Sequence, residues 1–454
     1  MSRDIQGGMP PAANFTPARM VDLELGAAIP ALPPARDTSG QPYARALVLA
    51  RLGGQPIGIA EIPLVVGGLG AGPLRQAVWD RIGPAVNAWL VRAGHPALAE
   101  LPPGGLAGWS GWFDTPARQL VGAPLNATVL IATRDRPESL AACLESLLAM
   151  DHPGFDIVVV DSAPSNDATR DMLRTRFGGL PGLRYVREDR PGLAIAHNRG
   201  LAEVTTSIVA FTDDDVLLDP GWLREIMAEF QADPAVACVT GMIVPLEIET
   251  APQGWIEEFG GFGKGFERQV FDLAEHRRDH PLFPYAAGMF GSGANMAFRT
   301  GALRRIGGFD PALGAGTTAQ GADDLAAFLE IILSGHRLVY QPAALLRHQH
   351  RRDYAGLRRQ VRGYGVGLGA YLTKLVLDHP DRLPELLRRA PVGLRHALSP
   401  NSTKNRKKQG SYPAELTRLE LLGLVQGPLA YLRSRWETRR LRRPAAAQPQ
   451  VGSG

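Results

Sequence analysis

Cysteine is nearly absent from the chain: Cys143 and Cys238 are the two in 454 residues. They lie far apart in apolar segments and form no CxxC pair. That excludes a disulfide scaffold and points to structural thiols in a reducing compartment. Aromatic residues make up only 7% and do not interleave with the basic runs, so a nucleic-acid-binding module is not expected. No run reaches the ~18 apolar residues of a membrane-spanning helix. The start, MSRDIQGGMPPAANF, lacks the apolar stretch of a signal peptide. These absences together read as a cytoplasmic chain, in which the glycosylation patterns at Asn126 and Asn401 go unused.

What is present is a large core: 45% of residues are hydrophobic and 21% charged, enough for two or three domains. The 52 glycines and 37 prolines announce many turns. Residues 1–42, rich in Pro, Ala and Gly, read as a disordered tail. Residues 43–95 read as a small β/α module, with a hairpin around Gly53-Gly54 and a helix that spaces Leu74, Val78, Ile82, Val86 and Leu90 four apart. Residues 96–125 read as a Pro/Gly linker. From Asn126 to His350, apolar strands such as ATVLIAT, FDIVVVDSA and SIVAFTDDD alternate with amphipathic helices. That order predicts a parallel, doubly wound α/β sheet. Nucleotides bind such sheets at the carboxyl ends of the strands. The polar clusters Thr133–Asp135, Asp161-Ser162, Glu188–Arg190 and Asp213–Asp215 all fall there. Residues 351–443 read as helical and basic, and 444–454 as a second tail. No internal repeat is visible.

Three adjacent carboxylates, Asp213, Asp214 and Asp215, end the strand VAFTDDD. Side chains alternate along an extended strand. Asp213 and Asp215 therefore share a side and can face one hard divalent cation, Mg²⁺ or Mn²⁺, which in turn neutralises a diphosphate. The plain alternative is a helix cap with solvated turn acids. An EF-hand is excluded, because its sixth and twelfth positions, counted from Asp213, hold Leu218 and Arg224. A phosphatase-type nucleophile belongs on a first strand, and three strands precede this one.

Six blocks in order carry a resemblance: VLIATRDRPESLAACLESLL, IVVVDSAPSNDATRDML, GLAIAHNRGLAEV, IVAFTDDDVLLDPGWL, GSGANMAFRTGALRRIGGFD and GADDLAAFLEIILSGHRLVYQPAALLRHQH. Together they resemble the family 2 glycosyltransferases, inverting enzymes of GT-A fold. The resemblance implies a nucleotide-sugar donor (UDP-, GDP- or dTDP-linked) with Thr133 and Arg134 beside the nucleoside and Asp161 on the base or ribose. It implies Arg190 and Asn198 at the donor pocket, and Asp213 at both donor and metal. It makes Asp215 and His348 further metal ligands, with His350 second to His348. Neutral imidazole favours Mn²⁺ over Mg²⁺. Asp324 becomes the general base toward an acceptor hydroxyl, with Asp323 and Asn295 contacting the acceptor. Asp323 stands where the family more often has Glu. Bland readings remain beside these: Asp161 as a turn residue, Arg190 as a surface charge, Asp323-Asp324 as a double helix cap, a histidine that only caps its strand.

The acceptor is expected to be a glycan or a lipid-linked precursor, with a small molecule left open, and single-sugar transfer is expected, since no Gln-x-x-Arg-Trp block follows the base. The basic C-terminal region, ending in LTRLELLGLVQGPLAYLRSRW, is expected to lie peripherally on the inner face of the cell membrane. The rival reading is a non-catalytic nucleotide-sugar-binding or membrane scaffold protein of the same fold. A sugar-phosphate nucleotidyltransferase is disfavoured, because ATRDRPESL has no glycine to cradle phosphate.

Overall fold

The computed structural model describes residues 15–106 and 125–441, except 93, 153, 403 and 409–411. The first unit is a three-stranded sheet, β1 (Ala18–Glu24), β2 (Arg45–Leu52) and β3 (Gln55–Pro63), covered by helix α1 (Ala71–Arg92). β1 runs parallel to β2, and β3 returns antiparallel. The hairpin turns at Gly53 and Gly54, both at positive φ, where a side chain would be strained. Leu74, Val78, Ile82, Val86 and Leu90 face the sheet as their spacing predicts.

The expected tail 1–42 is corrected in its second half. Residues 18–24 are a strand, and Leu23, Leu25, Ile29 and Leu32 are buried in the module core. The strand is short and sits among Pro and Gly, and its pairing with β2 is tertiary, so local pattern did not reveal it. Leu101 and Leu106 fill the same core, so the start of the expected linker also belongs to the module. Residues 1–14, 107–124 and 444–454 lie outside the described residues.

The main body carries β4 (Ala127–Thr133), α2 (Pro137–Leu148), β5 (Asp156–Ser162), α3 (Ala168–Phe177), β6 (Leu183–Glu188), α4 (Leu193–Glu203) and β7 (Ile208–Asp213). Then follow β8 (Val216–Leu218), α5 (Trp222–Ala232), β9 (Val236–Pro245), α6 (Ala251–Phe259), β10 (Gln269–Phe271), β11 (Asn295–Arg299), α7 (Thr300–Arg305), α8 (Asp323–Leu333) and β12 (Arg337–His348). The sheet order is β10-β12-β9-β11-β7-β4-β5-β6, with β8 paired to β12. Strands β6, β5, β4 and β7 are parallel, as the β-α alternation predicts. β5, β4 and β7 are largely apolar and buried because helices cover both faces, and a separate core lies on each side. The sheet is not parallel throughout: β11 runs antiparallel to both β7 and β9. Hydrophobic pattern gives a strand its faces but not its direction.

The N-terminal module is tied to the end of β12 and its surroundings. The Ala18 N–H donates to Ile248 O at 2.8 Å, and Arg51 pairs with Asp219 at 2.6 Å. Arg347, the residue before His348, pairs with Asp22.

Three helices follow: α9 (Tyr354–Asp378), α10 (Leu383–Leu398) and α11 (Ala414–Leu441). α9 and α11 meet backbone to backbone. A Cβ on Gly365 would lie 2.0 Å from Glu420 O, and one on Gly369 2.3 Å from Leu424 O. Gly423 and Gly427 answer from α11 in the same way. The neighbouring Gly367 abuts Gly321 of the turn before α8, where its Cβ would sit at 3.1 Å. In that turn Gln320 and Ala322 are both left-handed, with φ of 65° and 68°, a conformation that non-glycine residues hold only under tertiary restraint.

Candidate active site

The ends of β7 and β12 bring together one oxygen each from Asp213 and Asp215 and a ring nitrogen of His348, all within 4.8 Å of one another. Strand pairing explains the meeting. β8 lies antiparallel on β12 with Val216 opposite His348, and the Gln349 N–H donates to Asp215 O at 2.9 Å. His348 Nε2 stands 3.4 Å from Asp215 Oδ1. Burial and the Asp215 charge push the Asp213 carboxyl well above its ordinary range. Burial pulls the His348 imidazole down to about 4, so the ring is neutral at physiological pH and free to ligate. Two crowded carboxylates beside a neutral imidazole fit a divalent cation by charge and by donor type. The ring is also held from behind. His348 Nδ1 lies 3.3 Å from His350 Nδ1, and His350 Nε2 is 2.7 Å from Glu257 Oε1. Phe262 packs on both rings. Such outer partners fix a ligand's orientation, and His350 belongs to that support.

Asp214 turns away from the other two, as alternation requires. Its Oδ2 accepts from Thr133 Oγ1 at 2.7 Å, and its Oδ1 from Arg136 Nη1 at 3.0 Å. The same Arg136 nitrogen reaches Asp215 Oδ2 at 3.0 Å, and Arg351 stands 3.9 Å from Asp215. Arg136 therefore offsets the charge of two of the three adjacent carboxylates, Asp214 and Asp215. Sequence reasoning missed it and took up Arg134 instead. The available signal was its place just before Pro137, which starts α2 and pins Arg136 at the carboxyl end of β4 beside β7.

The second acidic group opens α8, where Asp323 and Asp324 are the first two helical residues. Asp324 Oδ2 accepts from the Gly293 N–H at 2.7 Å and its Oδ1 from the Leu325 N–H at 2.8 Å. It is half-buried, and each oxygen keeps a second lone pair. Burial raises its pKa against those two donors. Asp323 instead is 5% exposed and faces the interior, with Oδ2 3.8 Å from His197 Nδ1. Burial first, then the Asp324 charge, push it up to about 7. This corrects the expected acceptor contact for Asp323, whose carboxyl is turned toward the protein.

Three further expected site residues are engaged by the protein itself. Asn295 does not border the cleft. It is 0% exposed, its oxygen accepts from Trp222 Nε1 at 2.8 Å, and its nitrogen donates to Met242 O and Ala344 O at 2.9 and 2.8 Å. Asn198 gives both amide atoms to the backbone of Phe309. Thr133 is buried, and its hydroxyl is engaged by Asp214. In each case a polar side chain in a motif satisfies buried backbone or a neighbouring acid, a demand that the sequence does not display. We predict that Asn295→Ala lowers unfolding free energy by about 2–4 kcal/mol in denaturant titration, since it strands three buried polar groups, while donor affinity is unchanged.

Asp161 is fully buried. Its Oδ2 accepts from Tyr185 OH at 3.0 Å, and its Oδ1 has no partner among the described residues. Burial raises its pKa, and a donor N–H or hydroxyl would satisfy the free oxygen. Arg134 is exposed, 3.7 Å from Asp135. Arg190 grips Glu188 through two nitrogens at 2.8 Å.

Residues 128–307 match the family model described as Glycosyl transferase family 2. Over this segment the chain is similar to the family 2 glycosyltransferases. A "Pre-mycofactocin glycosyltransferase" of Mycobacterium tuberculosis is 29% identical over 262 residues, 58% of this chain and 50% of that protein. A "Glucosyl-dolichyl phosphate glucuronosyltransferase" of Haloferax volcanii is 23% identical over 230 residues, 50% of this chain and 69% of that protein. The chain thus spans about half the length of the mycobacterial relative it matches. Among solved structures, the mannosyltransferase PcManGT from Pyrobaculum calidifontis, in complex with GDP-Man and Mn²⁺, superposes with a TM-score of 0.41 at 18% identity, covering 82% of this chain and 87% of that one.

Proposed function

We propose that the chain is an inverting glycosyltransferase that moves one sugar from a nucleoside diphosphate sugar to an acceptor hydroxyl. The observation that carries the reading is the convergence of Asp213, Asp215 and His348 at the strand ends of a family 2 domain, with the acids of α8 near enough to raise the Asp213 pKa further. Those three side chains would hold Mn²⁺ or Mg²⁺, the nitrogen ligand favouring Mn²⁺. A cation there supplies charge stabilisation to the departing diphosphate. Asp161 offers its free oxygen to the donor's base or ribose. Asp324, oriented by the Gly293 and Leu325 N–H groups, takes the proton of the acceptor hydroxyl. As it does so, the acceptor oxygen forms its bond to the anomeric carbon from the face opposite the leaving group. The bond from that carbon to the diphosphate oxygen breaks, and the nucleoside diphosphate departs with the electron pair. One displacement inverts the centre and needs no covalent enzyme intermediate.

We infer a glycan or lipid-linked acceptor used at the inner face of a membrane, a reading supported by the basic C-terminal helices and by the name of the archaeal relative. No helix among the described residues is long and apolar enough to cross a membrane. Calorimetric titration of UDP-, GDP- and dTDP-sugars, with and without Mn²⁺, tests the proposal. One donor should bind only with the metal. Absence of binding by every donor to folded protein would sink the transferase reading.

A further inference from the structure

α11 has two opposite faces. Leu416, Gly423, Gly427, Tyr431, Ser434 and Thr438 are buried against the protein. On the other side Leu422, Val425, Leu429, Leu432 and Trp436 recur every three or four residues, a stripe about 21 Å long at 1.5 Å per residue. Every one of them is exposed, Val425 by 79% and Leu429 by 74%. An ordinary surface helix turns such a stripe inward. Here the glycine contact with α9 already occupies the inward face.

The stripe is bounded by cations. Arg418 precedes it, Arg439 and Arg440 follow it, and Arg433 flanks it, all exposed. The Arg440 guanidinium lies 3.4 Å from the centre of the Trp436 ring. The nearby carboxylate of Glu437 is held by Arg433 and by Thr318 of the main body. α10 has a similar pattern: Leu383, Leu387, Leu394 and Leu398 share one exposed face, Arg388 and Arg395 flank it, and none of its side chains is buried.

The charges decide what covers these faces. A second copy docked stripe to stripe would set arginines against arginines, a repulsive arrangement. An anionic lipid surface accepts both parts at once, the leucines and Trp436 at the acyl boundary and the arginines at the headgroups. We propose that the α11 stripe, with its bordering arginines, seats the protein on an anionic leaflet. This rests on the membrane reading above and supplies its contact residues.

The test is flotation of the full chain with phosphatidylcholine vesicles and with vesicles containing phosphatidylglycerol. Wild type should float with the anionic vesicles only, and raised salt should weaken the association. Val425→Glu/Leu429→Glu should lower vesicle affinity by about tenfold or more, and so should Arg439→Glu/Arg440→Glu. These side chains are exposed, so both variants should keep the wild-type melting temperature. Each sample is also titrated with donor and Mn²⁺ in solution, which the variants should leave unchanged. Wild type that ignores anionic vesicles, or variants that bind them as tightly, would overturn the docking surface whatever the donor titration gives. A dimer in light scattering that Val425→Glu/Leu429→Glu dissociates would overturn it in favour of a second copy. Vesicle binding without donor binding would leave the surface standing and remove the transferase reading.

Discussion

Asp215→Ala should abolish metal-dependent donor binding and reduce turnover about a thousandfold, the equivalent of ~4 kcal/mol of charge stabilisation. Asp215 sits between the other two elements of the site, in reach of Asp213 and 3.4 Å from His348 Nε2. Without it an aspartate and a histidine remain, too few protein ligands to hold a hard cation under a diphosphate. The substitution should not weaken the fold. Asp215 raises the pKa of its buried neighbour Asp213, and its own backbone bond to Gln349 survives. The melting temperature should therefore stay level or rise while activity is lost. Calorimetry with Mn²⁺ and a thermal melt on one sample measure both. Undiminished metal-dependent binding would remove Asp215 from the site.

Asp324→Asn should separate binding from chemistry. The amide oxygen can still accept from the Gly293 N–H, so the loop at 291–293 keeps its place. An amide cannot take a proton at neutral pH, and loss of a general base costs roughly 10²–10⁴-fold. Turnover should fall by that factor with donor affinity unchanged. The pH profile gives a second readout. The working form of Asp324 is the carboxylate, and burial raises its pKa. Wild-type rate should therefore fall as pH drops through that raised value, and the variant should lack this limb. A variant that turns over at the wild-type rate would move the base elsewhere.

The parallel half of the sheet and the meeting of Asp213, Asp215 and His348 were legible in the sequence for simple reasons. β4, β5 and β7 are largely apolar, which marks strands covered on both faces. The Asp-x-Asp and His-x-His spacings match the two-residue repeat of extended chain. What stayed hidden depends on contacts between distant segments. β1 shows itself only through pairing with β2. Asn295 looks like a site residue until Trp222, Met242 and Ala344 are seen to occupy its amide. Arg136 is one basic residue among many until the turn at Asp135, with φ of 54°, is in place and its guanidinium reaches two carboxylates.

The family match ends at residue 307, before Asp324 and His348, the base and the third metal ligand of the proposed reaction. The chain beyond it carries both. The left-handed turn that delivers Asp323 and Asp324 leans on α9 at Gly367, and α9 is held by α11 at Gly365 and Gly369. A fragment cut after His350 would retain every motif residue and lose the buttress behind its base. In the proposed reaction a bulky residue at Gly427 should therefore disturb the turn before Asp324 from the far side of two helices.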